Sequence, residues 1–141
     1  MEPSRNNAVT VSFRPYTEAD FADIQQLNAE EGWTNLAAHE EQTREAWRHS
    51  DVTCVATSQG AVVGYIRGLT DQHVTLYVCE FLIKDGFRGQ GVGRRLLRLV
   101  HGLYPTTRIE LLAYSSSCAY YEHLGLRDFP GFRATIAEYQ P

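Results

Sequence analysis

Apolar and polar residues alternate from Val9 to Phe13, the period of a half-buried strand. The period then lengthens. Thr17 with Asp20 three residues on is close to a capping box with a shortened acid. It predicts a helix from about Glu18 to Asn28, with Phe21, Ile24 and Leu27 on the inner stripe. Glu30 to Trp33 breaks the pattern as a loop, and a second helix is expected over Ala37 to Arg48. Two short strand-like runs, Thr53 to Thr57 and Val62 to Ile66, flank Ser58-Gln59-Gly60-Ala61 and read as a hairpin.

A longer strand is expected from about Val74 to Ile83, and its apolar end Phe81-Leu82-Ile83 suits a central, buried position. A glycine-rich turn follows, and then a helix with Leu96, Leu97, Val100 and Leu103 on one face, ended by Tyr104-Pro105. Ile109 to Ala113 reads as a strand. Ser115 or Ser116 would cap a short helix through His123, with Gly125 as its terminator. Leu126 to Phe129 and Ala134 to Tyr139 are weaker strand candidates around Pro130-Gly131. No repeat or linker interrupts this order, so 141 residues read as a single domain, 1–141.

Composition narrows the class. Hydrophobic residues make up 43% of the chain, which supports a packed core. The formal net charge of −4 argues against a nucleic-acid partner. No apolar run approaches the roughly 18 residues of a membrane helix, and no signal peptide is visible, so a cytoplasmic location without membrane contact is expected. Cys54, Cys79 and Cys118 form no CxxC and read as reduced thiols. The scattered histidines lack ligand spacing, and no metal is expected.

The chemistry concentrates in Arg88-Gly89-Gln90-Gly91-Val92-Gly93-Arg94, between the buried strand and the amphipathic helix. Glycines let backbone and ligand approach closely, and a helix N-terminus attracts anions. Arg88 and Arg94 would add charge. The segment is neither GxxxxGK[ST] nor GxGxxG. On these grounds alone the ligand is a phosphate of open identity, and a plain tight turn stays an alternative.

The spacing Arg88-x-x-Gly91-x-Gly93 after a strand resembles the acyl-CoA signature of the GNAT family of N-acetyltransferases. Downstream, Tyr120-Tyr121-Glu122-His123-Leu124-Gly125-Leu126 resembles the family's FYEKLGF segment. Tyr120 and Leu126 replace its phenylalanines, and Tyr114 stands where an asparagine is frequent, which puts one cofactor side-chain contact in doubt. The resemblance covers about the whole chain. It implies an α/β fold with a mixed, mostly antiparallel central sheet, two central strands splayed apart, and flanking helices.

The resemblance also implies roles. Acetyl-CoA would be the co-substrate, its diphosphate on the amides from Arg88 through Gly89, Gln90, Gly91, Val92 and Gly93 to Arg94. Its pantetheine arm would pair with the backbone of Phe81, Leu82 and Ile83, with the Leu82 N–H polarising the thioester carbonyl. Tyr121 would protonate the departing thiolate. Glu80, eight residues before Arg88, would be general base or acceptor contact, against an ion-paired strand glutamate as the plain alternative. Trp33 would overhang the acceptor, with core packing an equal alternative.

The expected function is acetyl transfer by direct attack of a primary amine, with a small molecule favoured as acceptor and a homodimer as expected assembly. The alternatives are a non-catalytic acyl-CoA sensor, an acetyltransferase of protein lysines or N-termini, and a nucleotide- or phosphosugar-binding protein.

Overall fold

The protein is described by a computed structural model covering residues 10–140. Backbone contacts divide the chain at Glu110/Leu111 into two units.

The first unit holds β1 (Ser12–Pro15), α1 (Phe21–Glu30), α2 (Thr34–Ala38), α3 (Glu40–Arg48), β2 (Val52–Ser58), β3 (Ala61–Thr70), β4 (Thr75–Ile83) and α4 (Val92–Leu103). β5 (Arg108–Leu111) completes a five-stranded sheet of order β1-β2-β3-β4-β5. The pairs β1-β2, β2-β3 and β3-β4 are antiparallel. The crossover through α4 brings the start of β5 to the start of β4, where the Arg108 N–H donates to the Val74 carbonyl at 2.8 Å. The sheet is therefore mixed and mostly antiparallel. The expected first strand begins at Val9, which lies outside the described residues; the ladder runs from Ser12.

Local chemistry explains these elements. Thr17 and Asp20 form the capping box, and the Asp20 carboxylate also takes two bonds from Arg14, at 2.6 and 2.7 Å. Those bonds, chiefly the Arg14 one, hold its pKa below the usual carboxylate range. A 3-10 turn over Glu18–Asp20 precedes α1, whose stripe Phe21, Ile24, Leu27 is buried as the spacing predicts. With Trp47, Val55, Val62, Tyr65 and Leu82 it forms one core cluster. α4 packs on β2, β3 and β4 through buried Leu96, Leu97 and Val100. At the β2–β3 hairpin Gln59 (φ 51°) and Gly60 (φ 79°) are both left-handed, which makes a two-residue type I′ turn. After β3, the Asp71 carboxylate accepts N–H bonds from His73, Val74 and Thr75 at 3.0, 2.8 and 3.0 Å. These bonds hold it at about 2, so Asp71 is a turn residue.

The helix expected over Ala37–Arg48 is two helices. His39 carries non-helical backbone (φ −99°, ψ 63°), and the Leu36 carbonyl at the break accepts from Thr43 Oγ1 at 2.7 Å and Gln25 Nε2 at 3.0 Å. Side chains of α1 and α3 thus supply partners that a continuous helix would have provided itself.

In the second unit, Ser115–Ser117 form a 3-10 turn leading into α5 (Cys118–His123). No serine side chain caps it, and the position before the turn is Tyr114. Gly125 (φ 98°) ends the helix, with N–H bonds from Gly125 to Glu122 and Leu126 to Tyr121. The two C-terminal strands do not form. The Thr135 carbonyl instead accepts from the N–H groups of Glu138 and Tyr139, a local turn that leaves no ladder to complete.

Candidate functional site

The glycine-rich turn lies where the sequence places it, between β4 and α4. Gly86, Gly89 and Gly91 have φ of 93°, 75° and 78°. These are left-handed values that glycine adopts without strain. A Cβ at Gly89 or Gly91 would meet nothing within 4 Å, so the turn is open on that side. Gly91 sits at the N-cap of α4. The helix's first bond runs from the Arg95 N–H to the Gly91 carbonyl, at 3.1 Å. Helix geometry therefore leaves the Val92 and Gly93 amides without an intrahelical acceptor. The turn is braced from within. Gln90 Nε2 donates to the Gly86 carbonyl at 3.1 Å, and the Phe87 N–H to the Lys84 carbonyl at 3.0 Å. Exposed glycines and a helix N-terminus together are the chemistry of an anion-binding turn.

Arg88 is tied down on two sides: its Nε donates to the Ile83 carbonyl at 2.8 Å, and its terminal nitrogen pairs with the Glu31 carboxylate. Arg94 is half-buried on the first turn of α4.

On β4, Lys84 N–H donates to the Val63 carbonyl at 2.8 Å, and Leu82 stands opposite Tyr65 in the same register. Backbone groups alternate along a strand. Leu82 therefore turns its polar groups toward β3, and Phe81 and Ile83 turn theirs away from it.

Glu80 stands opposite Arg67, and the two form an ion pair with N–O distances of 2.6 and 2.8 Å. Their side chains are only 12% and 14% exposed. Arg67 also reaches Ser50 Oγ at 3.0 Å, which in turn donates to the Ala46 carbonyl. Burial, the largest single influence, works against the Arg67 charge, but the Glu80 bond and the neighbouring negative charge, chiefly that of Glu80, together outweigh it and the guanidinium pKa is raised. Cys79 is an extra residue on β4 at this point, since Gly68 pairs with Val78. This bulge lets Glu80 and Arg67 meet.

Behind the pair, Tyr65 is buried and its hydroxyl donates to Asn28 Oδ1. Asn28 is fastened by Gln25 Oε1 at 2.9 Å. Trp33 is half-buried and packs against the core cluster, the plainer of its two expected roles.

Tyr121 lies on α5 in the second unit, its ring 5.3 Å from that of Tyr120. Burial, with a smaller push from Tyr120, raises its phenol to about 12. Cys54 and Cys79 thiols are likewise pushed up by burial, and no disulfide forms among the described residues.

Among the described residues no cluster of three His, Cys, Asp or Glu side chains could hold a metal, and no helix is long and apolar enough to cross a membrane. Two relations were beyond sequence reasoning. In the sequence Arg67 merely follows the strand expected over Val62 to Ile66, and Glu31 falls in the loop expected over Glu30 to Trp33. Their partners depend on strand register and on the return of α1 toward the turn.

Solved structures of the same fold are similar across most of the chain. A GNAT-family acetyltransferase of Streptococcus pneumoniae is 23% identical, with 92% of this chain and 99% of that one covered, at a TM-score of 0.74. A transcriptional regulator of Bacillus halodurans is 18% identical over 90% and 100%, at 0.72. An aminoglycoside acetyltransferase from an uncultured soil sample, solved with sisomicin, is 12% identical over 89% and 96%, at 0.66. A comparison with curated proteins finds no match.

The chain thus shares its α/β fold with these structures. Residues 18–126 match the model of the acetyltransferase (GNAT) family, and the chain belongs to that family. Membership implies an acyltransferase, and acetyl-CoA is the co-substrate typical of the family.

Proposed function

We propose that the chain transfers the acetyl group of acetyl-CoA to a primary amine, with a small molecule as acceptor. The observation that carries the reading is the open, left-handed turn at Gly89 and Gly91 leading into α4. Its left-over amides and missing side chains fit a diphosphate. Arg88 to Arg94 would hold that group, with Arg94 adding charge on the first turn of α4. On β4 the backbone of Phe81 and Ile83, turned away from β3, would take the pantetheine amides as an added strand. Our candidate for the carbonyl-polarising amide is accordingly one of these two in place of Leu82, whose backbone groups face β3. When bound, acetyl-CoA supplies an activated thioester.

An amine near pKa ~10.4 must lose a proton before it attacks. Glu80 is our candidate to bind the ammonium or to accept that proton through water. Its two oxygens lie 2.6 and 2.8 Å from the Arg67 guanidinium, which fixes the carboxylate in place and suits the first role. Tyr121 is assigned the thiolate by its place in the Tyr120–Leu126 motif. A phenol at about 12 is protonated at neutral pH and holds a proton to give, although less readily than a free phenol. Trp33 is carried as an acceptor contact. The family match runs through Glu110/Leu111, which supports reading 1–141 as one functional domain. Cytoplasmic location and a homodimer complete the proposal.

The test is a calorimetric titration of the purified protein with acetyl-CoA, with ATP as control, followed by thiol release on a panel of amines, amino acids and lysine peptides. Micromolar binding selective for acetyl-CoA, with turnover of a small amine, is the expected result. Folded protein without binding up to millimolar ligand overturns the reading; binding without turnover points to an acyl-CoA sensor.

A further inference from the structure

Arg88 opens the turn that receives the donor, yet its guanidinium points away toward the end of α1. Its two bonds, to the Ile83 carbonyl and the Glu31 carboxylate, join the turn to a segment 57 residues earlier. Glu31 caps α1, Gly32 follows at φ 83°, and Trp33 then donates its N–H to the Asn28 carbonyl at 2.9 Å. The bridge is only part-covered, with Arg88 48% and Glu31 33% exposed. Such a half-exposed pair is weak, because water screens it, and can be exchanged.

A diphosphate at the turn changes the balance. It carries more charge than one carboxylate, and a guanidinium binds phosphate oxygens in a two-point geometry. The Glu31 carboxylate, once deprived of Arg88, faces a like charge. We propose that Glu31 competes with the donor for Arg88, holding it before the donor binds and yielding it to the diphosphate, so that donor binding releases the Glu31–Trp33 segment. This rests on the reading that the turn binds acetyl-CoA. Two consequences follow. Glu31 lowers donor affinity, and the segment bearing Trp33 is loosened only in the donor complex, which favours binding of donor before acceptor.

The experiment uses the full chain and CoA itself as probe. Calorimetry compares wild type, Glu31→Gln and Glu30→Gln, the last removing a neighbouring carboxylate that bonds Gln26 and not Arg88. Amide hydrogen exchange is followed in the peptide spanning residues 29–36, with and without CoA. Glu31→Gln is expected to bind CoA about three- to fivefold tighter, the factor that ~1 kcal/mol allows. Glu30→Gln should match wild type. Exchange in the peptide should rise on CoA addition in wild type, and be high and insensitive to CoA in Glu31→Gln. Unchanged or weaker CoA affinity in Glu31→Gln overturns the proposal, as does wild-type exchange that CoA leaves unchanged or lowers. Should Glu31→Gln fold poorly, Glu31→Asp, whose shorter side chain falls back from Arg88, takes its place with the same expectations. CoA binding by wild type with either negative result overturns this inference alone. No binding by folded wild type overturns the acetyltransferase reading as well.

Discussion

Gly91→Ala separates the stability of the turn from its capacity to bind. Gly91 has φ 78°, a conformation that costs an alanine about 1–2 kcal/mol. Alanine recovers about 0.4–1 kcal/mol by restricting the unfolded chain. No steric contribution adds to this, since the new methyl meets nothing within 4 Å. The net cost is roughly 1 kcal/mol, a fall in Tm of about 4 °C for a chain of this size. Gly60, in the β2–β3 turn, is an internal control: its φ is 79° and its surroundings are equally open. Gly60→Ala should cost the same stability. Binding should differ. The Gly91 methyl stands on the open side of the turn and denies a diphosphate its close approach. Loss of one charge-assisted amide contact, about 1.5–3 kcal/mol, weakens acetyl-CoA binding roughly 10- to 100-fold. Gly60→Ala should bind as wild type does. Thermal melts by circular dichroism and calorimetric titration of the three proteins make the comparison. Equal acetyl-CoA affinity in Gly91→Ala and Gly60→Ala would refute the cradle. A fall of more than about 10 °C in Gly91→Ala alone would refute the argument that the space is open.

Tyr65→Phe strips the buried Asn28 Oδ1 of its hydroxyl donor and should cost about 1–3 kcal/mol in urea unfolding; a neutral result would mean the bond contributes nothing. Glu80→Gln leaves the Arg67 guanidinium without its counter-charge and should destabilise by about 3 kcal/mol, so its turnover must be compared per folded molecule; a stable, fully active variant would remove Glu80 from both roles. The Tyr121 phenol is raised in the folded state to about 12. Its stabilising effect is complete below pH ~10, the unfolded value, and is lost as pH climbs toward about 12, worth ~3 kcal/mol for two units. Tyr121→Phe should flatten that alkaline decline in urea midpoints, and should slow thiol release if the phenol is the acid; full turnover in the variant would reject that role.

Local periodicity made much of the fold legible. The stripe Phe21, Ile24, Leu27 is buried as its 3.6-residue spacing demands, and so are Leu96, Leu97 and Val100, whereas Leu103, expected on the same face, is 66% exposed at the last residue of α4. The hairpin around Gln59-Gly60 and the glycine turn before α4 rest on backbone preferences of a few adjacent residues, which composition reveals directly. The same logic failed where a segment depends on distant partners. Ala134 to Tyr139, a weaker strand candidate, closes on the Thr135 carbonyl instead. The run from Ala37 to Arg48 is expected as one helix, yet it breaks at His39, where the side chains of Gln25 and Thr43 satisfy the Leu36 carbonyl.

The candidate site divides in the same way. The Arg88–Arg94 turn could be read from order and spacing, because glycine's freedom and a helix N-terminus are properties of the chain where it stands, and the Tyr120–Leu126 segment from its resemblance to the family's motif. The partners of Glu80 and Arg88 could not. Arg67 reaches Glu80 only through the β3–β4 register and the extra residue Cys79, and Glu31 reaches Arg88 only after the chain has folded back across 57 positions. A sequence by itself determines which backbones bend and which faces are apolar, since these are short-range. Which charges meet, and so which carboxylate is held and which guanidinium is engaged, is decided by tertiary structure, because Coulomb attraction acts on distance in space and only the fold sets that distance.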